Sequence, residues 1–253
     1  MSLLTTDAIV LHSFDYLESS RILRLATREA GVQSVIAKGA RRAKGSSRMT
    51  LDLFVEGSAQ LYLKPGRDLH TLGGFDLART RPGLAADLGR FAGAHALAEL
   101  MLRFVRDDAA PEVYDALLGA LDRLEASAPG DGAAATLAGA WHIVAQLGVA
   151  PALDSCAVDG VPVERGDEAA FSHAAGGVLC PRCAAERGGR RFPWSARSAL
   201  LAWTDGQEVA PFADPATAKA HQRLLREYLQ QHLADGRPLR ALDAWERERW
   251  VAD

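Results

Sequence analysis

Three cysteines and one aspartate of this 253-residue chain have the residue types and the spacing of a metal-binding site. Cys180 and Cys183 are separated by two residues, and an earlier pair, Cys156 and Asp159, repeats that spacing. Two such knuckles in one short segment are typical of a structural zinc ribbon, which closes with four ligands. Gly160 allows the first knuckle to turn, and an aspartate oxygen is a minority but chemically sound ligand for zinc. The sequence therefore predicts zinc at these four residues, with Asp159 replacing the usual fourth thiolate.

Other interpretations of this segment stay open from the sequence alone. His173 is a second candidate for the fourth ligand. A site that has lost its metal would leave Cys156 as a small core residue and the later pair as a bare turn. A zinc enzyme would keep water at the fourth position and use Asp159 or Glu164 as acid or base, although tight knuckles seldom leave a substrate cleft. A thioredoxin-like redox pair is disfavoured, because Cys180 does not lie in a βαβ context.

A second feature is a run of cations near the N-terminus, where no acidic residue occurs between Glu29 and Asp52. These residues, called the loop cations below, are Lys38, Arg41, Arg42, Lys44 and Arg48. Gly39 and Gly45 lie among them and allow backbone amides to approach an anion closely. This composition favours weak, sequence-independent binding to nucleic-acid phosphates, and a solvated surface loop is the alternative.

The distribution of charge along the chain favours the nucleic-acid interpretation. The whole chain has 29 basic and 32 acidic side chains, a net charge of −3. Residues 1–81 carry 12 basic and 8 acidic side chains, a balance of +4, whereas residues 82–253 carry 17 and 24, a balance of −7. A basic N-terminal part on an acidic body indicates that one part meets a polyanion while the other meets protein partners.

Short strand-like segments separated by turn residues occupy the first part of the chain, at residues 7–12, 21–28, 32–38, 57–64 and 68–76. Five strands in a span of this size predict a small barrel, and the added cationic loop matches the oligonucleotide/oligosaccharide-binding (OB) fold. Tyr62 lies on the polar face of its strand and is a candidate for stacking on bases. Phe14 and Tyr16, in the predicted loop after the first strand, either stack on bases or anchor that loop.

After residue 81 the apolar period becomes helical. A stripe from Leu84 to Val105 predicts the first of five helices. We therefore expect an α+β multi-domain protein with an N-terminal five-stranded OB-fold barrel at residues 1–81. A helical domain at residues 82–253 follows and carries a zinc-ribbon-like insertion at residues 151–192.

Several function classes are disfavoured by what the sequence lacks. No apolar run of about 18 residues and no export signal are visible, so we expect a cytoplasmic protein. Three cysteines do not make a disulfide framework. No nucleophile, paired carboxylate or glycine-rich nucleotide motif is visible either, which predicts a binding protein rather than an enzyme.

Segments spread along the chain resemble the RecO family of recombination mediators. They are residues 8–11, 18–20, 25–27, 37–42, 171–172, 176–177 and 236–242, together with Cys156, Cys180 and Cys183. The matches span nearly the whole chain in the family's order, which is more specific than any single motif. Asp159 departs from the pattern, because the family's four-cysteine members have cysteine there.

The resemblance implies a bacterial DNA-repair protein that binds single- and double-stranded DNA and anneals complementary strands. It implies cooperation with RecR and contact with the acidic C-terminal tail of single-stranded DNA-binding protein (SSB). Together these would load recombinase onto SSB-coated single strands in the RecF pathway, in the cytoplasm beside the nucleoid. From the residues alone, an RNA-binding or translation-associated barrel protein is the alternative.

Overall fold

The computed structural model describes residues 2–40, 51–167, 169–207, 212 and 214–247. Of the loop cations, Lys38 lies in this part of the chain, and Arg41, Arg42, Lys44 and Arg48 lie outside the described residues. Within the described part, a barrel is followed by helices and by a small second sheet. No helix there has the length and hydropathy that crossing a membrane requires.

The N-terminal barrel consists of β1 Ser2–Tyr16, β2 Ser20–Thr27, β3 Gly31–Ala37, β4 Glu56–Leu63 and β5 His70–Arg79. Its strands close in the order β1-β2-β3-β5-β4, with β3 and β5 parallel and the other neighbours antiparallel. Alternate side chains fill the interior, among them Val10, Leu23, Leu25, Val35, Ala59, Leu61, Leu72 and Phe75. The predicted five-stranded, OB-like barrel is thus confirmed.

The first strand is longer than the predicted segment at residues 7–12 because it pairs with two neighbours. Residues 2–9 pair with β4, and residues 8–16 pair with β2, with a bulge between Val10 and His12 in the pairing with β2. Phe14 and Tyr16 therefore lie within β1, and their predicted placement in a loop was wrong.

The helices are α1 Pro82–Ala85, α2 Leu88–Phe104, α3 Pro111–Ala126, α4 Gly132–Gln146, α5 Pro181–Arg187, α6 Trp194–Thr204, α7 Pro215–His232 and α8 Arg240–Arg247. The stripe from Leu84 to Val105 was predicted as one helix, but the chain forms two. Asp87 accepts a hydrogen bond from the Arg90 amide at 2.8 Å and so caps a new helix, α2. Leu88, which the stripe included, is 68 % exposed.

A buried arginine joins the barrel to the helices. The Arg81 side chain is fully buried and donates to the Phe54 carbonyl at 3.1 Å. It also donates to Glu56 Oε2 at 2.7 Å and to Asp122 Oδ1 of α3 at 2.9 Å. Beside it, outward-facing barrel residues such as Ile9 pack into the helical core. The helices therefore pack against one side of the barrel.

The cysteine segment forms a small sheet, in which β6 Ala169–Ser172 lies between β7 Gly177–Leu179 and β8 Arg190–Phe192. Arg197 of α6 is buried and donates to three backbone carbonyls of the preceding loop, those of Leu153, Val163 and Glu164. One side chain thereby fixes both ends of the loop that carries the first cysteine.

Candidate functional site

The four predicted metal ligands lie together. The sulfur atoms of Cys156, Cys180 and Cys183 and a carboxylate oxygen of Asp159 all lie within 4.8 Å of one another. Asp159 Oδ2 is 3.1 Å from Cys183 Sγ and 3.5 Å from Cys180 Sγ. A tetrahedral zinc ion with sulfur at about 2.3 Å and oxygen at about 2.1 Å separates those ligands by about 3.6 Å. The donor set and its dimensions could therefore hold a metal ion of that kind.

Local turns produce this convergence. In the first knuckle the Gly160 amide donates to the Cys156 carbonyl at 2.9 Å, and Gly160 has a φ of +72°, which glycine adopts without strain. In the second knuckle Cys180 precedes α5, and Cys183 lies in its first turn. A backbone hydrogen bond from Ala157 to Val178 ties the two knuckles together at 2.8 Å.

Asp159 is the electrostatic centre of the cluster. Its Oδ2 accepts a hydrogen bond from Arg182 at 2.7 Å, and its Oδ1 accepts one from the Val161 amide at 3.1 Å. Arg182 first, and then the thiols of Cys183 and Cys156, hold the pKa of Asp159 well below its usual range. The hydrogen bond between the Cys183 thiol and Asp159, together with burial, raises the pKa of Cys183 to about 12. Without metal, the carboxylate is ionised and the thiols are its donors, so a metal ion must displace thiol protons when it binds.

His173, the alternative fourth ligand, lies elsewhere. Its ring contacts Phe171 at 5.2 Å between centroids, and its Nε2 is 3.6 Å from Glu227 of α7. Among the described residues, the group that could hold a metal contains Asp159 and not His173.

Of the predicted nucleic-acid residues, Lys38 and Tyr62 lie in the described part of the chain. Lys38 is exposed and follows β3 directly, so the segment of the other loop cations begins at the end of a barrel strand. Tyr62 is half-buried on the outer face of β4, where a Cβ atom at Gly73 would lie 2.6 Å from its ring. Phe14 and Tyr16 are 44 % and 39 % exposed. Both rings are therefore accessible, which favours contact with a ligand over anchoring.

A cavity of about 450 Å³ lies beside the small sheet, and sequence reasoning missed it. Its apolar lining comes from Phe171, Phe192, Phe212 and Leu224, and its cationic lining from Arg190, Arg191 and Arg223. These residues belong to β6, β8, α7 and the segment before α7, so they are distant in sequence. The adjacent pair Arg190-Arg191 was the one sequence signal that pointed to this surface.

Comparison with known families accounts for nearly the whole chain. The family model described as "Recombination protein O N terminal" matches residues 1–81, and the one described as "Recombination protein O C terminal" matches residues 85–242. This chain belongs to the RecO family. Family membership places it among DNA repair and recombination proteins.

Relatives of the RecO chain carry the same name over similar lengths. A protein of Anaeromyxobacter sp. (strain K), named DNA repair protein RecO, is 36 % identical over 240 residues, which are 92 % of each chain. A protein of the same name from Gloeobacter violaceus is 34 % identical over 88 % of this chain and 85 % of its own. A third, from Salinibacter ruber, is 32 % identical over 95 % of this chain and 92 % of its own.

In this RecO-family chain, the two matched segments meet beside Arg81, the last residue of the N-terminal match. The buried hydrogen bonds of Arg81 therefore join the part with the barrel to the part with the helices and the cysteine cluster.

Proposed function

We propose that this RecO-family protein is a DNA-binding recombination mediator of the RecF pathway. It binds single- and double-stranded DNA, anneals complementary strands, and with RecR helps to load recombinase on SSB-coated single strands. The observation that carries the proposal is the OB-like barrel whose β3 leads through exposed Lys38 into the loop cations. Cations on such a barrel screen the repulsion between two phosphate backbones, and that screening needs no nucleotide hydrolysis. The protein therefore acts by binding rather than by catalysis.

Residues 1–81 act in this proposal as the DNA-binding domain, and residues 82–253 as the domain that meets protein partners. The cavity beside the small sheet supports the second assignment. Its apolar lining and its three arginines suit an acidic peptide that ends in an apolar residue. The arginines attract the carboxylates of such a peptide, while the apolar lining buries its terminal side chain. We assign this cavity to the acidic C-terminal tail of SSB and place the protein in the cytoplasm beside the nucleoid.

The cysteine cluster has a structural role in this proposal. Zinc held by Cys156, Asp159, Cys180 and Cys183 would cross-link the two knuckles and so stabilise the zinc-ribbon-like insertion at residues 151–192. The buried sulfurs and the ion pair of Asp159 with Arg182 suit a closed site more than one that keeps a position for substrate.

A strand-annealing experiment at physiological salt without ATP tests the proposed function. The fluorescence of labelled complementary DNA strands reports the rate of pairing. We expect the protein to accelerate pairing over the protein-free control. A parallel series with RNA strands separates the alternative: acceleration of RNA pairing alone would identify an RNA-binding barrel. A folded protein that accelerates neither would contradict the proposal.

A further inference from the structure

A second cavity, of about 530 Å³, adjoins the one already described beside the small sheet. The two cavities share three lining residues, Arg191, Phe192 and Pro193. These residues belong to β8 and the turn after it, and among the described strands β8 pairs with β6 alone, so it is an edge strand. The two cavities therefore meet at the open edge of this sheet. The cavity that contains Arg223 is called the arginine cavity below, and the one that contains Trp194 the tryptophan cavity.

The tryptophan cavity differs from the arginine cavity in its charge. Its apolar lining comes from Ala170, Pro181, Ala184, Phe192, Pro193 and Trp194. Among the described residues, its charged lining is one acid and one base, Asp167 and Arg191, whose charges offset each other. Asp167 already accepts a hydrogen bond from the Glu164 amide at 3.0 Å. An uncharged ligand therefore suits the tryptophan cavity, whereas an acidic ligand suits the three arginines of the other.

The Trp194 ring is held in place at one wall of the tryptophan cavity. The guanidinium carbon of Arg197 lies 5.2 Å from the ring centroid, and that of Arg165 lies 5.9 Å from it. Arg197 is itself buried and fixed by its hydrogen bonds to three backbone carbonyls of the preceding loop. The half-buried Trp194 side chain is thus fixed before a ligand arrives, and stacking on it costs little conformational entropy.

The lining of the tryptophan cavity also restricts the backbone of a peptide ligand. A buried peptide N–H needs an acceptor, and the side chains of this cavity offer few, because most are apolar and the Asp167 carboxylate is already hydrogen-bonded. Proline has no backbone N–H, and proline-containing peptides in the polyproline II conformation dock in grooves lined by aromatic residues. An uncharged peptide with proline therefore matches both the rings and the scarcity of acceptors.

We propose that the tryptophan cavity is a second subsite for the peptide whose acidic end binds the arginine cavity, and that it takes an uncharged, proline-containing stretch directly before that end. This inference rests on the proposed function, which assigns the acidic end to the arginine cavity. The shared wall of Arg191, Phe192 and Pro193 lets one extended chain pass from one cavity into the other. A peptide that occupies both cavities binds more tightly than its acidic end alone, because the second contact is intramolecular.

Three labelled synthetic peptides test the subsite by fluorescence anisotropy on the full chain. The short peptide has four aspartates and a C-terminal phenylalanine. The long peptide adds Pro-Ala-Pro-Ala before the aspartates, and the control peptide adds Gly-Ser-Gly-Ser there instead. We expect the long peptide to bind about 5-fold to 30-fold more tightly than either of the others, which is the range for one well-packed interface residue.

Two variants remove the tryptophan cavity in different ways. Trp194→Ala takes away the ring, and Ala184→Leu fills the space beside α5 from a half-buried position. In each variant the long peptide should bind no more tightly than the short one, and the short peptide should keep its affinity. Trp194→Phe, which keeps a ring, should retain part of the gain. Tyr16→Ala, at a 39 % exposed ring of the barrel, is the matched control and should retain all of it.

The possible outcomes separate this inference from the proposed function. Equal binding of the long and control peptides, or a gain that persists in both variants with normal thermal unfolding, would overturn the subsite. Arg223→Ala changes the arginine cavity and not the tryptophan cavity, so it should weaken the short and long peptides by the same factor. If it does so while the long peptide has no advantage, the subsite is wrong and the assignment of the arginine cavity stands. If the unaltered protein binds none of the peptides, that assignment fails and the subsite fails with it.

Discussion

Arg182 donates to Asp159 Oδ2 at 2.7 Å, and the same oxygen lies 3.1 Å from Cys183 Sγ. The arginine side chain is 70 % exposed and the aspartate 16 % exposed, so the guanidinium covers the cluster from its solvent side. Three thiolates and a carboxylate around Zn²⁺ carry a net charge of about −2, which a neighbouring guanidinium reduces. Arg182 is therefore placed to orient Asp159, the proposed fourth ligand in this RecO-family chain.

Removing the hydrogen bond from Arg182 to Asp159 should weaken metal binding. We expect Arg182→Gln to lower zinc affinity about 10-fold, since loss of a partner that orients a ligand typically costs 10–100-fold. Titration against a chromophoric chelator measures the affinity. Arg187→Gln, at an exposed arginine of the same helix, is the control and should leave the affinity unchanged. Equal affinities in all three proteins would show that Arg182 does not act on the ligand set.

The identity of the fourth ligand can be tested directly at position 159. Asp159→Cys should tighten zinc binding, because thiolate is the softer partner for zinc, and Asp159→Ala should weaken it. Asp154→Ala, at an exposed aspartate of the same loop, serves as the control. Metal content by elemental analysis, together with the chelator titration, reports the result. The cluster would be held by hydrogen bonds alone if the protein is purified without metal and its affinity for zinc does not change with the residue at position 159.

Arg81 should contribute to stability far more than its neighbour Arg79. Arg81→Met removes hydrogen bonds from a fully buried guanidinium to two acids and a carbonyl, and we expect a loss of about 2–3 kcal/mol in the free energy of unfolding. Arg79→Met removes ion pairs of a 45 % exposed side chain with Asp122 and Glu125, for which less than about 1 kcal/mol is expected. Urea denaturation measures both. Equal losses in the two variants would mean that the burial of Arg81 does not determine its contribution to the free energy of unfolding.

His221 should make stability fall in mildly acidic solution. Its ring is buried against Trp203 and Phe212, and burial lowers its pKa to about 4 from an ordinary value of 6.5. The unfolded chain therefore takes up a proton below pH 6.5 that the folded chain refuses until pH 4, so stability is lost as the pH falls through this window. Between pH 7 and pH 5 the loss from this group is about 2 kcal/mol. In urea denaturation, the free energy of unfolding of His221→Phe should fall by about 2 kcal/mol less between pH 7 and pH 5 than that of the unaltered protein. An identical fall in both proteins would show that His221 is not the group responsible.

Features that depend on local pattern were predictable from the sequence. The period-2 alternation around Tyr62 predicted β4, and the repeated spacing of Cys156–Asp159 and Cys180–Cys183 predicted a group that the structure brings together. The domain boundaries, the metal and the binding of DNA by the loop cations stay predictions.

Features that depend on pairing between distant segments were not predictable. The length of β1 requires both β2 and β4 as partners, and the pattern of a single strand does not reveal its partners. The arginine cavity is assembled from helices and strands far apart in sequence. The break before α2 was missed because one capping side chain, Asp87, outweighed a continuous apolar stripe.

We propose above all that the loop cations bind DNA phosphates, and the salt dependence of binding tests this claim most directly. Replacing Lys38, Arg41, Arg42 and Lys44 by alanine should lower the slope of log affinity against log salt by roughly 0.7 for each single-strand phosphate that the variant no longer binds. A control with the same change in charge, alanine at the exposed Arg187, Lys219, Arg237 and Arg240, should keep the slope. A folded loop variant with an unchanged slope, or a control whose slope falls as far as that of the loop variant, would contradict the claim.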